Sequence, residues 1–430
     1  MKENFEKIID ENIKKTNEKI DKRRKTKIDF ANEEFKQLIT SIVLIILSIV
    51  LFNIIGSKLK YETQPDTTKY YGGKVLDVKE EVFEMDSNAV PGLEASKRKL
   101  HTYKVKVTKS YSHKDSEKDK DILDKTVDVT REESEVSLNF ARPVKKGDKI
   151  TFTKSVVVGD ENVYHFAGFE HGLELTIFIS IFVIIVILIA KLKGFNTIAL
   201  LFLIGYALIK TYVPALLVGV NVYLATFLLA GYSIIIGMII INGLNHKTYA
   251  AILGNLIGIL FAGLLAYNAN KTFHITGIGS EEDILINNLH PGKYDLIGIT
   301  WAAILIGALG AIMDTALSIA SSIKEIAHTT KTTEFKTLFK SGMEVGKDAI
   351  STMISTLLLA YISGTLVQTM LMHIYTTPVG FLFNTELILE EIIKSIIGAT
   401  GILITVPATA ILASAFEVME NKANKNETIK

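Results

Sequence analysis

Residues 307–322 read GALGAIMDTALSIASS and place a carboxylate, Asp314, inside a run that is otherwise apolar or small. The uncharged residues 296–313 before it are enough to cross a hydrocarbon core of roughly 30 Å at about 1.5 Å per residue. An ionised carboxylate in lipid costs roughly 2.5 to 3.5 kcal/mol even on insertion scales. The pattern therefore predicts a membrane-spanning helix whose aspartate faces other helices or a hydrated route.

The composition favours a membrane protein over a soluble one. The chain has 430 residues, 48% of them hydrophobic, and a mean hydropathy of +0.31. The formal charge of +1 argues against a nucleic-acid partner, because nucleic-acid-binding domains carry a clustered basic excess. The absence of cysteine excludes disulfides and thiolate metal sites. We predict no cofactor and no bound metal.

Apolar runs of about 20 residues recur between short polar loops, as in an α-helical polytopic membrane protein. We predict about eight transmembrane helices and the lipid bilayer as a partner. The predicted spans are residues 37–56, 173–190, 196–213, 221–243, 248–267, 295–323, 349–374 and 391–415.

Lysine and arginine predict the orientation. They are denser in residues 22–27, 191–193 and 324–347 than in the loops on the opposite side. By the positive-inside rule, this asymmetry places both termini in the cytoplasm and the protein in the plasma membrane. Trp301 and Tyr294, near the outer end of the sixth span, fit an interfacial aromatic belt.

Charge and hydropathy divide the chain into segments of different kinds. The predicted segments are a charged cytoplasmic segment (1–36), a first transmembrane anchor (37–56), an extracytoplasmic β domain (57–170), a seven-helix transmembrane domain (171–416) and a cytoplasmic tail (417–430).

The β domain is predicted from alternating apolar and polar residues. Period-two runs begin at Gly73, Tyr103, Lys125 and Lys149, with turn-forming segments between them. Such short strands predict a small β-barrel or sandwich. The domain has no set of acids, histidines and hydroxyls at catalytic spacing, so we do not expect an enzyme.

Small and polar residues follow one face of the sixth span and one face of the next. Asp314, Ser318 and Ser321 share the first face, and Asp348 and Thr352 begin the second. If these faces pack together, hydroxyls and two carboxylates line a common route. A purely structural role stays open for both faces, since small residues also allow close helix packing and the helix dipole favours Asp348 near a helix start.

Three further features bear on the same bundle. Glu386 begins the last helix, where it either attracts cations at the outer mouth or is a solvated helix start. Pro407 removes a backbone donor within the last span and predicts a bend. Close helix packing is predicted at Gly307 and Gly310 in the sixth span, and at Gly254 and Gly258 in the fifth.

These residues resemble the YibE/F family of polytopic membrane proteins. The resemblance rests on residues 307–322, on GKDAISTMISTLLLAY at 346–361, on Asn384-Thr-Glu with Glu390-Glu-Ile, and on Thr405-Val-Pro. Ser351 and Ser355 depart from it, because a glycine and an asparagine are usual there. The resemblance implies a permease-like architecture without a defined cargo.

The leading functional prediction is a permease for a small solute or ion. Asp314 is its ion- or proton-linked carboxylate, and Ser318, Ser321, Asp348 and Thr352 line the cytoplasmic half of the route. The alternative is a membrane-anchored scaffold or envelope sensor, whose β domain at 57–170 binds an envelope protein. An intramembrane aspartyl protease is disfavoured, because Val345-Gly-Lys-Asp348 lacks the glycines of a GxGD motif.

Overall fold

A computed structural model describes residues 35–61, 68–84, 97–111, 122–134, 142–157, 160–330, 334–375 and 378–428. The chain divides into two compact units, one of residues 62–185 and one of residues 1–61 together with 186–430. The predicted charged segment 1–36 lies outside the described residues, apart from Phe35 and Lys36.

The first unit contains a closed five-stranded barrel. Its strands are β1 (Lys69–Glu84), β2 (Lys97–Ser110), β3 (Thr126–Ser134), β4 (Lys149–Val157) and β5 (Asp160–Phe169). The order around the barrel is β1-β2-β3-β5-β4, and β4 pairs with β1 to close it. All neighbouring strands are antiparallel except β3 and β5, which are parallel. The predicted β fold is therefore a barrel and not a sandwich.

The barrel core follows from the alternation in its strands. In β2, Tyr103, Val105 and Val107 are buried, whereas the lysines between them are exposed. Tyr71 stacks on Phe152 inside the barrel, with ring centroids 5.8 Å apart. The four predicted strand starts all fall in or next to β1 to β4, but β5 was missed. Its inward side chains are aromatic instead of β-branched, and His165 lies between them.

The second unit is a bundle of helices, to which α2 runs from the first unit. The helices of the described residues are α1 (Phe35–Lys58), α2 (Gly172–Ala207), α3 (Val213–Val218), α4 (Val222–Asn242), α5 (His246–Thr272), α6 (Glu281–Leu289), α7 (Leu296–Thr330), α8 (Phe335–Gly364), α9 (Leu366–Ile374), α10 (Val379–Leu382) and α11 (Glu386–Thr428). A π-helical turn, Leu208–Tyr212, joins α2 to α3.

Seven helical segments of the described chain are long and apolar enough to cross a membrane, so the predicted number of eight is not confirmed. The predicted spans 173–190 and 196–213 lie on one segment, Gly172–Val218, of 47 residues. A straight helix of that length would measure about 70 Å, more than twice a hydrocarbon core. The segment is broken at Lys191, whose φ of 49° and ψ of −126° are not helical.

The bundle core is built on α5, α7 and α11. Small residues bring the helices together, because alanines such as Ala262, Ala308 and Ala410 are fully buried in one core with Ile312. The prediction that Trp301 belongs to an interfacial belt is wrong. Its side chain is 2% exposed, and its Nε1 donates to the carbonyl of Gly263 on α5 at 2.8 Å.

Candidate functional site

The predicted route residues of α7 lie along an open face of the helix. Asp314 and Ser318 are exposed on the surface of the single chain, and Ser321 is half-buried. Within the described residues, Asp314 has no hydrogen bond or ion pair. Gly310, one turn before it, has open space where a side chain would lie. The carboxylate therefore faces outward from this chain, not into the core on α5 and α11.

Gly307, on the same face of α7, has a different environment. A Cβ at this position would overlap the hydroxyl of Tyr361 on α8. The Tyr361 hydroxyl is buried, and no hydrogen-bond partner for it lies among the described residues. Close packing at Gly307 is therefore a contact with one tyrosine, whereas a Cβ at Gly310 would meet no atom of the described residues within 4 Å.

The predicted polar face of α8 is turned away from its neighbours. Asp348 and Thr352 are exposed, and the Thr352 hydroxyl donates to the carbonyl of Ala349 at 3.1 Å. Ser355 and Thr356 likewise donate to carbonyl groups of their own helix, each at 2.9 Å. Hydroxyls satisfied in this way are common on membrane helices. The structure does not bring them against Ser318 or Ser321 through any hydrogen bond of the described residues.

Glu386 accepts hydrogen bonds from the loop between α5 and α6. Its Oε1 accepts hydrogen bonds from the backbone N–H groups of Thr276, at 2.7 Å, and Gly277, at 2.8 Å. The Thr276 hydroxyl also donates to Oε2, at 2.8 Å. Charge-assisted bonds of this kind are among the stronger hydrogen bonds of proteins. The start of α11 is thereby fixed to the segment between α5 and α6.

Four residues after Glu386, an ionic cluster is buried on α11. The Lys394 ammonium lies 2.7 Å from Glu391 and 3.6 Å from Glu390, so two carboxylates share one cation. Glu390 is 8% exposed, and its Oε1 has no hydrogen-bond partner among the described residues. With both carboxylates and the ammonium ionised, the cluster carries one excess negative charge. Such a charge is costly to bury unless a proton or a cation neutralises it. For the acids that begin this helix, the sequence left two alternatives open, cation attraction at the outer mouth and a solvated helix start, and a buried ionic cluster was not among them.

The predicted close packing of α5 is present, and its partner is α11. A Cβ at Gly254 would overlap the hydroxyl of Thr409, and a Cβ at Gly258 would overlap that of Thr405. Thr405 donates to the carbonyl of Gly401 at 2.8 Å, but Thr409 has no partner within the described chain. The α11 helix continues through Pro407, which lies between the two threonines.

The α11 helix therefore carries buried polar groups along most of its length. Glu390, Thr405, Thr409 and Glu417 are all buried, and Thr405 and Thr409, one turn apart, lie against α5. On α5, Asn255 lies in the same turn as the two packing glycines, is fully buried, and has neither amide atom paired within the described residues. These buried polar residues of α11, with Asn255, are the candidate site.

The far end of the candidate site is also charged. Glu417 is 8% exposed, and its Oε1 has no hydrogen-bond partner among the described residues. It interacts electrostatically with Lys324 and His328 of α7 and with His246 of α5. Charged groups from three helices thus meet at this end. In the sequence, the signal for these buried groups is a pattern of Glu, Thr and Gly in the last helix at intervals of three, four and eight residues. The sequence analysis selects no residue of this pattern after Pro407.

Most of the residues that sequence reasoning selected fall into three groups. Asp314, Ser318, Asp348 and Thr352 lie on exposed faces, Glu386 binds a loop, and Gly254 and Gly258 pack on α11. A family model described as YibE/F-like protein matches residues 178–418, which include all of these. No curated protein and no solved structure matches the chain.

Proposed function

The chain belongs to the YibE/F-like family, and from this premise we propose that it is a multi-pass membrane permease in which a proton or another small cation passes along the buried polar residues of α11. Seven apolar helical segments and the family match indicate a multi-pass membrane protein. The observation that carries the permease proposal is the set of α11 polar atoms, from Glu390 to Glu417, that are buried and have no hydrogen-bond partner among the described residues.

Unpaired polar atoms are expensive in a helix bundle. Each buried donor or acceptor left without a partner costs about 1–3 kcal/mol. Asn255 and Thr409 incur that cost in the middle of the bundle, where an apolar residue of similar size would avoid it. Ionisable side chains inside transmembrane segments commonly belong to ion or proton routes. A route that admits a proton, water or a cation would satisfy these atoms.

The separation of the two glutamates supports the same proposal. Glu417 follows Glu390 by 27 residues on one continuous helix, a rise of about 40 Å. A bilayer with its headgroup regions is about 40–45 Å thick. Each carboxylate then lies near one membrane surface, and Thr405 and Thr409 lie between them. Such an arrangement provides a binding group at each mouth and hydroxyls in the middle.

The route is closed in this conformation. Gly254 and Gly258 contact Thr409 and Thr405 too closely to leave space for water between α5 and α11 at these points. Pro407 lies between the two contacts and cannot donate to the carbonyl of Leu403, so this part of α11 has a weaker helical hydrogen-bond ladder. We propose that α5 and α11 separate here when the cation passes.

A flux measurement tests the proposal. The purified protein is reconstituted into vesicles with a trapped pH-sensitive dye, and proton or sodium gradients are applied with a potassium diffusion potential. We expect faster proton movement than in protein-free vesicles, and at least a tenfold loss for Glu417→Gln and for Thr409→Val. Glu282→Gln, at an exposed position of α6, is the control.

The Asp314→Asn variant decides between the two candidate routes. Unchanged flux in Asp314→Asn, with loss in Glu417→Gln, supports the route along the buried α11 residues. The reverse pattern assigns the coupling carboxylate to Asp314 and contradicts the α11 route. Wild-type vesicles that move neither protons nor sodium faster than protein-free vesicles would contradict the permease proposal itself.

The scaffold or sensor function stays a prediction. It depends on an envelope protein that binds the barrel of residues 69–169, and its test is the binding of a defined partner to the full-length protein. Ion flux in the vesicle assay would contradict a purely anchoring role for the helices.

A further inference from the structure

Three lysines lie side by side across the outer surface of the barrel. Lys74 of β1 is the direct register partner of Lys106 on β2 and of Lys149 on β4. Side chains directly opposite each other in antiparallel strands share one face of the sheet, and all three lysines are exposed. Neighbouring strands are about 4.8 Å apart, so this lysine row (Lys74, Lys106 and Lys149) presents three ammonium groups over about 10 Å.

The lysine row differs from the charged residues next to it on the same sheet. Lys104, two residues before Lys106 on β2, is the register partner of Asp77 on β1 and of Asp128 on β3. Opposite charges across strands are favourable, whereas like charges directly opposite each other are destabilising. Lys74 thus faces two lysines where Lys104 faces two acids. A local cost of this kind is expected where a surface binds an anion.

Only part of the charge of the lysine row is balanced among the described residues. Lys106 forms an exposed ion pair with Asp124, whose carboxylate oxygen lies 3.1 Å from the ammonium nitrogen. Exposed pairs of this kind are weak and are screened by salt. The other two lysines of the row form no ion pair within the part of the chain that the structure describes. Glu170, at the end of β5, is 6% exposed and pairs with Lys109 instead.

The loop before β4 adds further positive charge beside the row. Its Gly147 N–H donates to the carbonyl of Val75 at 2.9 Å, and the Val75 N–H donates to the carbonyl of Asp148, also at 2.9 Å. Lys145 and Lys146 of this loop are exposed. The Asp148 carboxylate accepts from the N–H of Lys145 at 2.8 Å and is thereby held within the loop. The surface around the row therefore has an excess of positive charge.

The lysine row lies close to the start of a membrane-crossing segment. The Glu170 N–H donates to the carbonyl of Lys149 at 2.9 Å, and α2 begins two residues later at Gly172. The first turns of α2 carry exposed apolar side chains such as Leu173 and Ile177. Two extended residues span about 7 Å, and the headgroup region on each side of a hydrocarbon core is about 5–8 Å thick. With α2 in the bilayer, the row therefore lies at the level of the lipid headgroups.

We propose that the lysine row binds the anionic headgroups of phospholipids at the membrane surface. Its ammonium groups pair with phosphate oxygens, and Lys145 and Lys146 extend the contact. A lysine near an anionic surface strengthens binding about fivefold, so several lysines together select anionic over zwitterionic lipid. The proposal concerns the barrel unit and does not depend on the permease function, since lipid binding is measured without flux.

A lipid titration of the full-length protein tests the proposal. The protein in phosphatidylcholine-containing micelles is titrated with phosphatidylglycerol, and bound lipids are counted by native mass spectrometry. We expect tighter binding of phosphatidylglycerol than of added phosphatidylcholine. The double variant Lys74→Gln/Lys149→Gln should weaken phosphatidylglycerol binding about 25-fold, at roughly fivefold per lysine. Lys74→Arg/Lys149→Arg keeps both charges and should retain the affinity.

The matched control removes two lysine charges from the same sheet outside the row. Lys79 and Lys104 are both exposed, on β1 and β2. Lys79→Gln/Lys104→Gln should leave the affinity within about twofold of the wild type, because salt screens charges at a distance from the bound lipid. Basic residues of the helix bundle are the same in both double variants, so the difference between the variants isolates the row.

Thermal unfolding provides a second readout. In phosphatidylcholine alone, Lys74→Gln/Lys149→Gln should be at least as stable as the wild type, because repulsion between lysines is removed. Phosphatidylglycerol should raise the melting temperature of the wild type more than that of this variant. The soluble compound sn-glycerol 3-phosphate carries the same phosphate without acyl chains and should not reproduce the rise at equal concentration.

Three outcomes would overturn the proposal. The first is a wild type that binds phosphatidylglycerol no more tightly than phosphatidylcholine. The second is equal phosphatidylglycerol affinity of the two glutamine double variants. The third is an equal rise in melting temperature with sn-glycerol 3-phosphate, which would assign the row to a soluble phosphate compound and not to lipid.

Discussion

Gly258 of α5 lies against Thr405 of α11 so closely that a single added methyl group would overlap the threonine hydroxyl. The same is true of Gly254 and Thr409, one turn away. Two glycines spaced by four residues thus meet two threonines with the same spacing. This contact holds together the two helices on which the proposed route depends.

Replacing Gly258 with alanine tests how tight that contact is. Overpacking a bundle core costs about 1–3 kcal/mol. We expect the upper part of that range here, because the added methyl group would also lie 3.2 Å from the carbonyl oxygen of Gly401. Gly258→Ala should therefore lower the free energy of unfolding in mixed micelles. Gly205→Ala is the matched control, because it meets nothing within 4 Å and should be neutral or slightly stabilising. Equal behaviour of the two variants would contradict the packing.

The contact between Gly307 and Tyr361 predicts coupling between α7 and α8. Gly307→Ala should be destabilising because its methyl group meets the tyrosine hydroxyl. Tyr361→Phe removes a hydroxyl that has no hydrogen-bond partner among the described residues, so it should be neutral or stabilising. In the double variant, the cost of Gly307→Ala should fall by about 0.5–3 kcal/mol. Additive effects in the double-mutant cycle would show that the two residues do not touch.

Glu386 should control local opening of the loop that it binds. Removing the charge in Glu386→Gln weakens two bonds from backbone N–H groups, and bonds to charged groups contribute about 1.5–3 kcal/mol each. The amides of Thr276 and Gly277 should then exchange with deuterium about tenfold faster or more, whereas amides of the α7 core should not change. Glu282→Gln is the matched control. Protection that is unaltered in Glu386→Gln would mean that the loop is held by other contacts.

The barrel should lose stability in alkali through two groups beside Glu170. Burial raises the pKa of Tyr111 above its ordinary 10.0, and the Glu170 charge raises it further. A hydrogen bond to Glu170 raises the pKa of Lys109 above 10.5. Both groups hold their protons more tightly when folded, so their stabilising effect is complete below about pH 10 and is lost as pH rises through the folded pKa values.

The absorbance of tyrosinate measures the ionisation of Tyr111 directly. The difference at 295 nm between the wild type and Tyr111→Phe isolates one phenol, which should ionise at a higher pH than free tyrosine. Glu170→Gln should lower that pH, because it removes the nearby negative charge. A difference titration at the pH of free tyrosine would contradict the raised pKa of Tyr111.

Sequence reasoning worked where one local pattern decides the outcome. Period-two alternation identified four of the five barrel strands, and long apolar runs identified the membrane helices, because burial and bilayer thickness act on residues close in sequence. The Gly254 and Gly258 spacing predicted a close helix contact for the same reason. Seven candidate segments instead of eight were found because the predicted spans 173–190 and 196–213 lie on one helical segment, Gly172–Val218, in which non-helical φ and ψ at Lys191 replace the predicted loop.

The sequence by itself determined that the chain has a β domain, long membrane helices, carboxylates within them and the YibE/F-like motifs. Only the tertiary structure decided which polar residues face the interior, placing Glu390, Thr409 and Glu417 inside and Asp314 on the outer face of its helix. The physical reason is that helical periodicity groups side chains on a face, but the helix that covers this face comes from a distant part of the chain.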